Sequence, residues 1–139
     1  MNAGYSGKPL HQKLGYKAGM RIYAAHAPDN YLDLLGDDPP DIRVLKRPGK
    51  HMDVIHAFYT EAKRLEQGLQ RHRLTIAQDG MIWVSWPKKA SAVTSDITED
   101  VVRAHALPLG LVDVKVCAVD DVWSGLKLVI RKSERLARR

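Results

Sequence analysis

The residues best suited by type and spacing to capture an anion are Lys88, Lys89 and Ser95. Each lysine brings a compact positive charge. A serine heading a helix adds a hydroxyl and the free amides of the first turn. The competing reading is a pair of solvated loop lysines and a serine that only caps. His26, close to Asp29 and Asn30, has the composition for proton transfer; a hydrogen-bonded structural histidine is the competing reading. That alternative is stronger for His56, inside Val-Ile-His-Ala-Phe. Trp86 and Trp123 offer indoles on which a ring can stack where they reach the surface, and packed core where they do not.

Other chemistries fail on spacing. The six histidines form no His-x-His or His-x-x-x-His pair, and the single Cys117 has no partner at metal-ligand spacing, so no metal site is expected. Gly4-x-x-Gly7-Lys8 imitates a phosphate loop poorly, with Pro9 where a serine or threonine is needed. No Gly-x-Ser-x-Gly elbow is present. Asp37-Asp38 and Asp120-Asp121 lie in turn-like segments, where aspartate is favoured for bonding its own backbone. No catalytic residue is therefore assigned.

The elements that must position these groups centre on Gly80-Met-Ile-Trp-Val-Ser-Trp-Pro87. It is apolar on both faces, as in a strand covered on both sides, and Asp79-Gly80 reads as the turn before it. Earlier strands are expected over 20–27, 42–45 and 53–59. A short helix follows the first, with Asp29 as its cap, Gly36 as its end, and Leu32 and Leu35 on a common face. After the third strand, Thr60 is the expected cap of a helix whose stripe runs Ala62, Leu65, Leu69 and Ile76. Ser95 is expected to cap the next helix, which stops before Pro108. The strands at 112–119 and 125–130 are too close in sequence for a parallel crossover and must form an antiparallel hairpin. The expected architecture is a three-layer αβα sandwich with a mostly parallel sheet closed by a carboxyl-terminal hairpin. Its parts are an arm at 1–9, one α/β domain over 10–131 and a basic tail at 132–139.

At 139 residues the chain is long enough for one ordinary core. The lone cysteine reads as a small buried hydrophobe, no apolar run approaches a membrane span, and the start of the chain lacks a signal peptide's apolar stretch, so a cytoplasmic location is expected. The net charge of +6 favours an anionic partner, although acidic residues interrupt the basic ones.

The run from Asp53 to Ile130 resembles the carboxyl-terminal half of a class I methyltransferase-like fold, which implies the sheet order 2-1-3-4-6-5. Residues 10–131 also resemble a family of small bacterial proteins that share a domain of unknown function. The resemblance rests on Leu14, Gly15 and Gly19 before the first strand, and on Gly80, Ile82, Trp83, Pro87 and Lys88 in the central one. Ser95 to Ile97 and the hairpin residues Trp123, Ser124, Gly125 and Leu128 complete it. This second likeness implies no known activity. Methyltransferases of the first kind carry a glycine-rich turn after strand 1 and an acid after strand 2. Here the turn reads Ala24-Ala-His-Ala-Pro-Asp-Asn30, strand 2 ends at Leu45-Lys46, and Pro28 removes an amide. The fold therefore reads as a degenerate version, with no cofactor expected.

The expected function is binding of a small anionic ligand or a partner at the carboxyl edge of the sheet. Pro28, Asp29, Asn30, Tyr59, Trp86, Lys88 and Ser95 form the candidate site. The alternatives are nucleic-acid binding through the basic tail and surface, and an atypical methyltransferase-like enzyme.

Overall fold

Branched and aromatic side chains crowd residues 82–86 on both sides of the backbone, and such a strand is stable only between two covering layers. The computed structural model describes residues 7–136. In chain order the elements are α1 (Leu10–Lys13), β1 (Arg21–Ala25), α2 (Tyr31–Leu34), β2 (Arg43–Leu45), β3 (Met52–Phe58), α3 (Ala62–Thr75), β4 (Ile76–Pro87), α4 (Glu99–Ala106), β5 (Leu111–Ala118) and β6 (Trp123–Ile130). The sheet order is β2-β1-β3-β4-β6-β5, as the resemblance implies. β1 to β4 run parallel, and β6 enters antiparallel between β4 and β5.

Alternation along β4 divides the core into two layers. Ile82, Val84 and Trp86 join Leu65 and Leu69 of α3 and Val102 of α4 on one face. Met81 and Trp83 join Leu10, Leu14, Tyr31 and Leu35 around α1 and α2 on the other. The Trp83 indole N–H donates to the Leu14 carbonyl at 3.0 Å, which fixes the α1 layer to the centre of the sheet. The three-layer expectation holds, with β4 in the interior. Among the described residues, no helix is long and apolar enough to cross a membrane.

The local expectations fare less evenly. Asp79-Gly80 is not the turn before β4. The strand starts at Ile76, directly after α3, and Asp79-Gly80 sits in a bulge where Met52 to Val54 of β3 face Ile76 to Met81. Ile76 is therefore a strand residue rather than the end of a helical stripe. Thr60 does not cap α3; the Asp96 carboxylate takes the Ala62 N–H at 2.7 Å from across the loop. The α4 cap is Thr98, whose hydroxyl accepts from the Val101 N–H, and not Ser95. Asn30 precedes α2 without a capping side-chain bond, so Asp29 is not the cap. Leu35 is buried while Leu32 is 65% exposed, so the two do not share a face. The missed caps share one cause: these helices begin where the loop packs, and several polar side chains can reach the same amide. Cys117 is half-buried. The expected arm and tail lie partly outside the described residues.

Gly80 is required by the bulge. A β-carbon there would come within 2.9 Å of the Met52 carbonyl oxygen and of the Ile76 side chain. Gly80→Ala is expected to lower stability by about 1–3 kcal/mol, the usual range for overpacking a closed site. Urea unfolding measures it, and an unchanged midpoint would mean that the bulge opens freely.

Candidate functional site

In open α/β sheets ligands lie outside the carboxyl ends of the strands, where the strand order reverses. Here β1 connects outward to β2 and β3 connects inward to β4, so the reversal lies between β1 and β3. A cleft of about 280 Å³ opens at that point, lined by His26, Phe58, Tyr59, Thr60, Glu61, Arg64 and Trp123. A larger cavity of about 560 Å³ lies between α1, α2 and the β5–β6 turn. Its walls include Asp33, Asp37, Asp120 and Asp121 with Lys8 and Lys13, and no residue of β1 or β3 lines it. The smaller cleft has the ring-lined walls of a small-molecule site.

His26 is held there by backbone geometry. It follows the last residue of β1 with φ of 56°, in the left-handed region. A glycine would take this conformation without cost and leave space; the histidine takes it and points an exposed ring into the cleft. That ring tilts on Tyr59 with centroids 5.5 Å apart. Tyr59 is buried, and its hydroxyl bonds His72 Nε2 at 2.7 Å. The phenol reaches His72 only because residue 68, in the middle of α3, is glycine; any β-carbon there would collide with the Tyr59 hydroxyl. Burial pushes the Tyr59 phenol up to about 12. His72 is pushed down to about 4, by burial first and by the neighbouring Arg71 and His26 charges second. Trp123 meets Phe58 edge to face at 5.1 Å. Arg64 stands at the mouth, paired with Glu61 at 2.8 Å, and both side chains are mostly solvated. A pair this exposed is worth about 0–1 kcal/mol, so Arg64 can turn to another anion at little cost.

Beneath the cleft runs a buried polar chain. The Tyr16 and Tyr31 hydroxyls are 2.5 Å apart, Tyr31 reaches His56 Nδ1 at 2.9 Å, and His56 Nε2 meets Ser85 Oγ at 2.8 Å. A neutral imidazole donates from one nitrogen and accepts at the other, so the chain is satisfied with either polarity. Burial drives His56 down to about 3, which keeps it neutral. His56 also stacks on Phe58 at 4.3 Å, so the floor of the cleft rests on this chain.

Of the sequence-predicted site residues, only Tyr59 lines the cleft. Ser95 is close by connection: its hydroxyl donates to the Thr60 carbonyl at 2.8 Å and accepts the Ile97 N–H at 3.1 Å. Lys88 is tied to the β5–β6 turn, its ammonium on the Asp120 carbonyl at 2.6 Å and its amide on the Val122 carbonyl at 2.7 Å. Trp86 is buried in the α3–α4 layer. Pro28, Asp29 and Asn30 lead from β1 to α2, the Pro28 carbonyl accepting the Tyr31 N–H at 3.0 Å. His26 and Trp123 carried a sequence signal as a strand-end histidine and a possible stacker. Phe58, Thr60 and Arg64 carried none, because their place depends on where β3 ends against β1. Among the described residues, no group of three or more His, Cys, Asp or Glu could hold a metal ion.

No protein-family model matches the sequence, and a search of curated proteins finds no match. Solved structures do match the fold. An S-adenosylmethionine-dependent methyltransferase from Aquifex aeolicus superposes with a TM-score of 0.63 at 13% identity, over 86% of each chain. A TehB-like S-adenosylmethionine-dependent methyltransferase from Corynebacterium glutamicum gives 0.55 at 13%, over 87% of this chain and 85% of that one. A protein of the NADB-Rossmann superfamily from Streptococcus agalactiae gives 0.56 at 12%, over 100% of this chain and 73% of the other. The chain has a Rossmann-like, methyltransferase-like fold.

The two buried histidines set an acid limit. Both fold with pKa values below the usual 6.5, at about 3 and about 4, so the unfolded chain binds protons that the native one does not. Their contribution is complete above the unfolded value and is lost as pH falls through the folded ones. Stability is expected to fall as pH drops from about 6 to about 4, by at most about 1 kcal/mol per pH unit for each histidine. Urea titrations across that range measure it. A flat profile would mean that His56 and His72 are protonated in the native state.

Proposed function

We propose that this chain is a binding domain for a small, planar, anionic molecule held in the cleft between the tips of β1 and β3. The observation that carries this reading is the meeting of His26, Tyr59 and Trp123 with Arg64 at the strand-order reversal. The rings offer flat, partly apolar walls for stacking, and the loosely paired guanidinium offers a forked donor to a carboxylate or phosphate. Ser95 stiffens the rim by fixing Thr60, and Lys88 sits at the neighbouring β4 tip, where it adds positive potential. Pro28, Asp29 and Asn30 form the way out of β1 on the other rim. Binding without catalysis fits the Tyr59 hydroxyl, which is committed to His72.

A second reading, an atypical methyltransferase, is favoured by the fold and by neighbours named as S-adenosylmethionine-dependent. In that reading the methyl donor occupies the same cleft. Two features of this chain oppose it. His26 stands where a glycine would let backbone approach the donor, and Lys46 follows β2 where an acid would hold ribose hydroxyls.

Calorimetry with aromatic carboxylates, nucleoside phosphates, S-adenosylmethionine and S-adenosylhomocysteine separates the two readings. The first predicts binding of planar anions that Arg64→Ala weakens about tenfold or more, since a bond to a charged group is worth about 1.5–3 kcal/mol. Lys88→Ala reports whether the site extends to the β4 tip. Binding confined to the two sulfur nucleotides would overturn the first reading in favour of the second.

A further inference from the structure

The face of β5 and β6 that looks away from α3 and α4 poses a separate problem. On β6, Leu126, Leu128 and Ile130 point into the α3–α4 layer, so Lys127 and Val129 point to the opposite side. That side is roofed by α1 and the turn after it, which reach Trp83 and Met81 of β4 but leave Lys127 and Val129 only half-buried. Register then sets Lys115 of β5 directly opposite Lys127. Facing residues in an antiparallel pair have α-carbons roughly 4.5–5.5 Å apart, and like charges there repel. Lys17, just beyond α1, adds a third ammonium near Lys127, and burial together with the Lys115 and Lys17 charges lowers the Lys127 pKa. Among the described residues, no carboxylate forms an ion pair with Lys17, Lys115 or Lys127. The acid on this part of β5, Asp113, faces the other way and binds Arg103 of α4.

We propose that this open face binds the phosphate backbone of a nucleic acid through Lys17, Lys115 and Lys127. The patch is distinct from the carboxyl-edge cleft and does not depend on it. Three uncompensated cations, two on the β5–β6 pair and one on the turn beyond α1, call for an anion with several charges spread along its length. A single carboxylate or phosphate would leave most of the repulsion in place. A strand laid across β5 and β6 would answer all three lysines with successive phosphates. Reading is by charge and not by sequence, since phosphate contacts position a chain without specifying its bases. Of the arginines that follow β6, Arg131 pairs with Glu134 and the Arg135 guanidinium donates to the Ile130 carbonyl, so these two are already engaged.

The test uses the full chain, fluorescence polarisation and a labelled single-stranded oligothymidylate, between about 50 and 200 mM salt. The expected result is binding at low salt with a slope of log affinity on log salt near −2, about −0.7 for each of three neutralised phosphates. Lys115→Glu with Lys127→Glu is expected to weaken binding about tenfold or more and to flatten the slope by about 1.4, for two lost contacts. A control of equal charge change, Lys50→Glu with Lys63→Glu, alters lysines on the loop before β3 and on α3, and is expected to bind almost as the parent does. Lys115→Glu alone replaces repulsion by attraction, so it is expected to fold with an unchanged or higher melting temperature. An equal loss in the control pair, no loss in the Lys115/Lys127 pair, or no binding at low salt would overturn the proposal. So would capture by anionic phospholipid vesicles through these lysines without oligonucleotide binding.

Discussion

The fold depends on one fully buried indole. Trp83 lies in the middle of β4, between β3 and β6, with its ring in the α1–α2 layer and its N–H on the Leu14 carbonyl. An indole N–H in an apolar interior must have an acceptor, because leaving it bare costs about 1–3 kcal/mol. The acceptor comes from a segment 69 positions earlier in the chain. This bond therefore ties the first helix to the centre of the sheet. It also closes one face of the strand whose other face is sealed by α3 and α4. Gly125 of β6 belongs to the same arrangement, since a β-carbon there would lie 3.4 Å from the indole.

With β4 fixed, the tips of its neighbours are fixed as well. β3 pairs with β4 from Met52 to Phe58, so Tyr59 and Thr60 leave the sheet at a defined height, and the Tyr59 N–H on the Ser85 carbonyl at 3.0 Å marks that exit. β1 ends level with β3, Ala25 beside Ala57, and His26 turns over the gap. The cleft therefore results from strand register, and two polar chains hold its floor and wall. Tyr31–His56–Ser85 lies below it, and Tyr59–His72 runs behind it. Both replace apolar packing with bonds of fixed geometry, which lets small rotations of Phe58 and Tyr59 be resisted.

The architecture was legible because its signals were repeated. A two-faced apolar strand, alternating strands and helices, and a hairpin too short for a crossover all point to the same layers. The caps were less legible. Thr60, Ser95 and Asp29 have the right side chains, but the amides they were expected to meet are taken by Asp96 and Thr98 or by no side chain at all. A capping bond depends on loop geometry that a one-dimensional pattern does not carry. The same limit applies to the candidate site. Tyr59 follows a strand whose end could be read, and it lines the cleft. Lys88 also follows a readable strand, but the β5–β6 turn folds back to meet its ammonium. Arg64 and Phe58 enter the cleft through three-dimensional packing alone. His26 is the instructive case: its sequence shows the absence of a glycine, and only the structure shows that the glycine's backbone conformation is kept.

The most direct test of the central constraint is amide hydrogen exchange followed residue by residue. If Trp83 and its strand lock the two layers together, the amides of Ile82 to Ser85 will exchange last, only through global unfolding, while His26 and Thr60 exchange through local opening. Exchange at Ile82 to Ser85 that is faster than in α3 or along the β5 edge would contradict the account.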